Sequence, residues 1–330
     1  MALTVIEQAI ANKHIEKMIS DFPEMGIDSA KSFIEKALIS KEIETVSDVD
    51  IVNWYENIFK KYLFIIDEQT YLEASIQALK VQFLLAGTDF GSSRQRDLGQ
   101  KWSDTIRGYL GEFGLKQVFN NFGIEIDLGH EAGALEQFLP QDIHMVKLEG
   151  ETDLREPSLK VSIKTTKSNG IWLDIPGDQF NHSDIYILAK IGIGTDHLFS
   201  FFKQISVFKD KILKCGKDQG CLDEEEAEII YNQVPSFHKI YGYIPGFIEY
   251  SSVYDNYHYE GRKGRTNFKI YDWAGKYEKS FLNIIKTNEK ANKVEFEGIG
   301  QFADQNKYIF GMKSLKNADD EWERLIFNRL

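Results

Sequence analysis

A carboxylate and a lysine stand in a pattern suited to metal-assisted phosphate chemistry. Pro140-Gln141-Asp142 is followed, 22 residues beyond the aspartate, by Lys164 at the end of Leu159-Lys160-Val161-Ser162-Ile163-Lys164. Leu159, Val161 and Ile163 alternate with Lys160, Ser162 and Lys164, the period-2 signature of a half-buried strand, which sends Ser162 and Lys164 to one face and the apolar set into a core. A carboxylate leading into one strand and a lysine on the next can hold a divalent cation beside a phosphate-bearing substrate. Oxygen ligands bind hard cations, and an ammonium steadies the charge that develops on the phosphate. Read alone, Asp142 is a common turn residue after proline, and the two residues gain weight only as a pair.

Basic residues are gathered in two places. Arg94 and Arg96 precede Lys101 and Arg107, while Arg262, Lys263 and Arg265 sit with Gly261 and Gly264 in a stretch able to approach a groove closely. With a net charge of -12, the chain is no general nucleic-acid binder, so any phosphate contact must be local. Lys167, Ser168 and Asn169 read as a turn after the Lys164 strand, and their side chains could reach a phosphate. The acidic run Asp223–Glu226 reads as the start of a solvated helix. Cys215 and Cys221 have no zinc-like spacing and suit a reducing compartment. The histidines, including His130, His144, His182 and His197, show no spacing of a metal box or of a nucleophile and its base, so they are expected to be structural.

The elements that must position these groups are legible in outline. Residues 1 to about 90 carry apolar residues at helical spacing, with Ser29, Ser47 and Asp67 as helix starts. Trp102, Ile106, Tyr109 and Phe113 follow one face of a further helix that also bears Gly108, Gly111 and Gly114, with Glu112 among them. Each glycine costs about 1 kcal/mol against alanine inside a helix, so three predict the close approach of another backbone. Strands are expected over 124–128, 141–148, 158–165, 170–176 and 185–191, the last a near-continuous apolar run of the kind buried on both faces. Beyond Cys215 come a helix over 224–231, strands over 240–244 and 268–273, and helices over 278–286 and 319–327.

This order predicts an α/β (α+β) chain in which helices flank a central mixed β-sheet. Its expected parts are an N-terminal helical region over 1–92, a core over 93–215 and a C-terminal α+β region over 216–330. No run approaches the roughly 18 apolar residues of a membrane span. The first residues also lack a basic-then-apolar leader, so a cytoplasmic protein without a membrane partner is expected.

Over roughly residues 100–200 the chain resembles the PD-(D/E)xK nucleases, to which most type II restriction endonucleases belong. The resemblance rests on the glutamate-bearing helix around Glu112, the Pro140–Asp142 turn, Ser162-Ile163-Lys164 and the buried strand that follows. It implies a restriction-endonuclease-like core and sequence-specific hydrolysis of phosphodiester bonds in double-stranded DNA. It further implies dependence on Mg²⁺, with Mn²⁺ as substitute, and a homodimer reading a two-fold target.

In that family pattern a Glu or Asp usually stands two residues before the lysine, and here the position is Ser162. One branch of restriction enzymes is similar, with Ser or Thr there and the carboxylate supplied about a dozen residues later. Thirteen residues separate Lys164 from Asp178 and nine separate it from Asp174, so both are candidates. The resemblance makes Asp142 the central metal ligand, with the Ile163 carbonyl, Asp178 or Asp174, and Glu112 as further ligands, and Lys164 as the group that orients attacking water. DNA contacts would come from Arg94, Arg96, Lys101, Lys167, Ser168, Asn169, Arg262, Lys263 and Arg265. Two other readings stand beside this one: a structure-specific repair nuclease on the same core, and a DNA-binding protein whose site has decayed at Ser162.

Overall fold

The structure, a computed structural model, describes residues 5–85, 97–129, 141–251, 256–302 and 306–330; Arg94, Arg96 and Pro140 lie outside them. Helices α1 (Val5–Asp21), α2 (Ile27–Ile39) and α3 (Asp48–Trp54) lead to a short strand β1 (Leu63–Ile66), then to α4 (Glu68–Leu85) and the long α5 (Leu98–Asn121). Strands β2 (Glu125–Asp127), β3 (Met145–Lys147), β4 (Val161–Lys167), β5 (Trp172–Pro176) and β6 (Ile185–Ile191) follow. After α6 (His197–Gln204), α7 (Lys214–Asp218) and α8 (Glu224–Gln233) come β7 (Ile240–Glu249), β8 (His258–Lys263), β9 (Asn267–Tyr277), α9 (Phe281–Asn288), β10 (Lys293–Phe296), β11 (Lys307–Gly311) and α10 (Asp319–Trp322). The fold is mixed α+β. No described helix is long and apolar enough to cross a membrane.

The first sheet has the order β1-β7-β6-β4 and is mixed: β4 and β6 are parallel, with Ser162 opposite Tyr186 and Lys164 opposite Leu188, and the other pairs are antiparallel. Its strands come from well-separated stretches of the sequence. β1 lies where only helix was expected, because a four-residue run of Leu, Phe and Ile is too short to show a period against the helical spacing around it. β5 leaves the neighbourhood of β4 and pairs antiparallel with β11 in a second sheet of order β10-β9-β11-β5, with β8 on β9. β2 and β3 form a separate hairpin.

Two apolar clusters meet at β6. Ile185, Ile187 and Ala189 join Val161 and Ile163 of β4 and Ile106, Leu110 and Leu115 of α5, while Tyr186 and Leu188 pack with Leu173, Ile175 and Phe310 of the second sheet. The N-terminal helices build their own cluster around Phe33, Trp54 and Phe59, closed by Tyr241 and Tyr243 of β7. Lys190 is fully buried within the apolar β6 run, and its Nζ donates to Glu42 Oε1 at 2.7 Å. A buried charge left alone costs several kcal/mol. β6 accommodates the lysine because Glu42, which also accepts from the Tyr243 hydroxyl at 2.7 Å, meets it there.

The glycines of α5 have the expected cause. A Cβ at Gly111 would overlap the Thr165 side chain of β4, and one at Gly114 would overlap the Phe64 ring of β1. The helix therefore lies low across two strands of the first sheet. At Gly108 a Cβ would meet nothing, but its carbonyl accepts from Thr165 Oγ1 at 3.4 Å.

Candidate active site

Asp142 is fastened to the free edge of β4. Its backbone N–H donates to the Val161 carbonyl at 2.8 Å and its Oδ2 accepts from the Ile163 N–H at 2.5 Å. A strand residue directs its N–H and C=O to the same side, so the Ile163 carbonyl is aimed at the edge that Asp142 occupies. Groups from both faces of the sheet converge there. Glu112 comes from α5 on the Val161 and Ile163 side, and Ser162 and Lys164 come from the opposite face.

The electrostatics follow from that convergence. The Asp142 carboxyl is pushed up to about 7: loss of water around it is the largest cause and the Glu112 charge the next, against the Ile163 N–H, Lys164 and a hydrogen bond from Ser162. Tyr109, one helical turn before Glu112, is raised by burial and by both carboxylates, so it borders the pair. Lost water and a neighbouring negative charge both disfavour the Asp142 carboxylate, and a bound divalent cation would invert that balance.

Lys164 Nζ donates to Gln179 Oε1 at 3.2 Å, and the Gln179 carbonyl accepts from the Tyr186 hydroxyl. The turn after β5 is thereby laid over the polar face of β4. Asp178 is exposed in that turn, one residue before Gln179. Asp174 is engaged elsewhere: its Oδ2 accepts from Lys307 Nζ of β11 at 2.8 Å. Among the described residues no three His, Cys, Asp or Glu side chains are grouped to hold a metal ion. The oxygens placed at this edge are the Asp142 carboxylate and the Ile163 carbonyl, with the Glu112 carboxylate near enough for its charge to raise Asp142. That all-oxygen set fits Mg²⁺, which binds through one or two carboxylates and keeps several waters.

A cleft of about 390 Å³ continues along β4 from this point, lined by Asp104, Arg107 and Gly108 of α5, by residues 163–167 and by Asn169. Arg107 is ion-paired with Asp104. Lys167 is held below its ordinary value by burial and by the Arg107 charge. Behind the cleft, His197 is buried between the Tyr71 hydroxyl at Nδ1 and Ser103 Oγ, 3.1 Å from Nε2. It is pushed down to about 4 by burial, then by Arg107 and Lys167, against Asp196.

The structure thus gathers Asp142, Glu112, Ile163, Lys164, Lys167 and Asn169 along one strand edge, with Asp178 in the adjoining turn. Ser168 is half-buried, its N–H donating to the Ile191 carbonyl at 2.7 Å, and Lys101 is buried in α5. Arg262 pairs with Glu297 at 2.6 Å and lines another cleft, with Glu35 and Lys41 of the N-terminal region. Lys263 and Arg265 are exposed on the same β8–β9 hairpin. Sequence reasoning missed Tyr109, Asp104 and Gln179. Asp104, Gly108 and Glu112 follow at i, i+4 and i+8, one helical face, a signal that could have joined Asp104 to Glu112. Gln179 left no such signal, because its contact depends on where β5 goes. No protein-family model, curated protein or solved structure matches the chain.

Proposed function

We propose that this chain is a Mg²⁺-dependent nuclease that hydrolyses phosphodiester bonds of double-stranded DNA at a specific sequence, in the manner of the type II restriction endonucleases whose motif its residues resemble. One observation carries the reading: the Asp142 carboxyl, pushed up beside Glu112, shares the edge of β4 with the Ile163 carbonyl and stands within the field of Lys164. Asp142, Glu112 and the Ile163 carbonyl would hold the cation. When bound, it would acidify water and neutralise charge on the phosphate. Lys164, steadied by Gln179, orients the attacking water and stabilises the negative charge that develops on the phosphate oxygens. Ser162 supplies Asp142 with a hydrogen bond in place of a carboxylate. The remaining carboxylate is assigned to Asp178, because the turn that bears it touches Lys164. A two-fold target would be read by a homodimer.

The test is digestion of an unmethylated, sequenced plasmid with Mg²⁺ or Mn²⁺, followed by mapping of the ends. Discrete fragments that disappear with Asp142→Asn and Lys164→Gln support the reading. Cutting confined to branches or ends would assign the site to a structure-specific nuclease instead. Intact plasmid under both metals, with branched and linear DNA also left uncut, would sink nuclease function altogether.

A further inference from the structure

We infer that the cleft between Arg107 and Lys167 is a second phosphate subsite, which grips an internal phosphate of the DNA strand next to the one attacked beside Asp142. The identity of the ligand rests on the nuclease reading; the chemistry of the cleft does not. Its lining carries Arg107, Lys164 and Lys167 against Asp104, three positive charges to one negative, in a chain whose net charge is -12. Such local reversal in a concave, partly dry place focuses the field and draws in an anion.

Geometry separates this subsite from the reacting one. The cleft starts at Ile163 and Lys164, which belong to the candidate active site, and runs to Asn169. Lys164 and Lys167 are three residues apart on an extended strand, about 10 Å at 3.3 Å per residue. The two side chains also leave opposite faces of β4, with Lys164 tied to Gln179, so one phosphate does not serve both ends. A strand whose reacting phosphate lies by Asp142 and Lys164 therefore presents a different phosphate to Arg107 and Lys167.

The donors suit phosphate. Arg107 offers a planar fork that matches two phosphate oxygens, Lys167 a point charge, and Asn169 and Thr166 neutral donors. Crowding Arg107 against Lys167 is unfavourable without an anion, and the Asp104 carboxylate supplies one to Arg107. Asp104 marks where anionic oxygens sit and competes with the ligand for the Arg107 N–H groups. His197, buried behind the cleft, stays neutral near pH 7 and adds no charge of its own.

The experiment measures binding without cutting. Affinity for a closed circular plasmid and for short linear duplexes, with 5′-phosphate or 5′-hydroxyl ends, is measured with Ca²⁺ over a series of salt concentrations. Arg107→Gln and Lys167→Gln should each weaken binding to the closed circle about tenfold and lower the slope of log Kd against log salt by about 1. Arg107→Lys should restore the slope but not the full affinity, and Asp104→Asn should tighten binding. Thermal melts of each variant separate these effects from misfolding. Plasmid cleavage with wild-type affinity and slope in Arg107→Gln and Lys167→Gln would overturn the subsite and leave the nuclease reading standing. Loss of affinity and slope without any cleavage by the wild-type protein would uphold the subsite and overturn the nuclease reading. An effect seen only with 5′-phosphorylated ends would overturn the internal position, and absence of DNA binding by the wild-type protein would overturn both.

Discussion

The Asp142 carboxylate accepts a hydrogen bond from the Ile163 N–H, and through it the aspartate is locked to the strand that carries Lys164. The two candidate catalytic groups are therefore held by one backbone segment, with Glu112 brought over its edge by α5. A site built in this way trades stability for charge: lost water and the Glu112 charge hold the Asp142 carboxyl above its ordinary value, a balance that a bound cation would invert.

The expected consequence is a split between stability and activity. Asp142→Asn keeps an acceptor for the Ile163 N–H and removes one of two crowded carboxylates, so its metal-free melting temperature should equal or exceed that of the wild type. Mg²⁺ should stabilise the wild-type protein, by about 2.7 kcal/mol at a hundredfold excess over its Kd, and leave Asp142→Asn unmoved. Cleavage by that variant should fall at least about a hundredfold, as expected when a preorganised electrostatic group is removed. Differential scanning calorimetry with and without Mg²⁺ reads the first two effects.

Asp174 and Asp178 should behave oppositely. Asp174→Asn breaks the ion pair with Lys307, whose side chain is 8% exposed. Because Asp174 itself is partly exposed, the loss should be about 1–2 kcal/mol, below that of a fully buried pair. Asp178→Asn lies on an exposed turn, should change urea unfolding by less than about 0.5 kcal/mol, and should lower cleavage. A normal cleavage rate in Asp178→Asn would remove it from the site.

The glycines of α5 make a stability series. Gly111→Ala must push α5 off Thr165, and overpacking of this kind costs about 1–3 kcal/mol, against about 1 kcal/mol gained in helix propensity. Gly108→Ala meets no neighbour and should stabilise by about 1 kcal/mol. Chemical denaturation should place the two variants on opposite sides of the wild type, or at least several tenths of a kcal/mol apart.

His197 sets a pH dependence. Its folded value of about 4 lies below the ordinary 6.5, so between those values the unfolded chain binds the proton and the folded one does not. The stability contributed by this group is complete above pH 6.5 and falls as pH drops toward 4, by up to about 3 kcal/mol, while the raised Asp142 acts in the opposite sense. His197→Gln should flatten that part of the curve. A slope unchanged between pH 4 and 6.5 in the variant would mean that His197 is not its source.

Local sequence determined whatever depends on a residue's immediate neighbours. Alternation through 159–164 assigned Ser162 and Lys164 to one face, because side chains in a strand must alternate. Three glycines in one helix required something close above them, and Thr165 and Phe64 are there. The apolar run 185–191 indicated a strand buried on both faces, and β6 is buried throughout.

Tertiary structure decided what depends on partners distant in the chain. Period shows which face a residue occupies but not which strand lies beside it. It could not show that β1 and β7 would extend the sheet on the far side of β6, or that β5 would pair with β11 and take Asp174 to Lys307. The charge state of Asp142 belongs to the same class. Its carboxyl is raised above the ordinary range because lost water and the Glu112 charge outweigh the Ile163 N–H, and proximity of that kind exists only once the chain has folded.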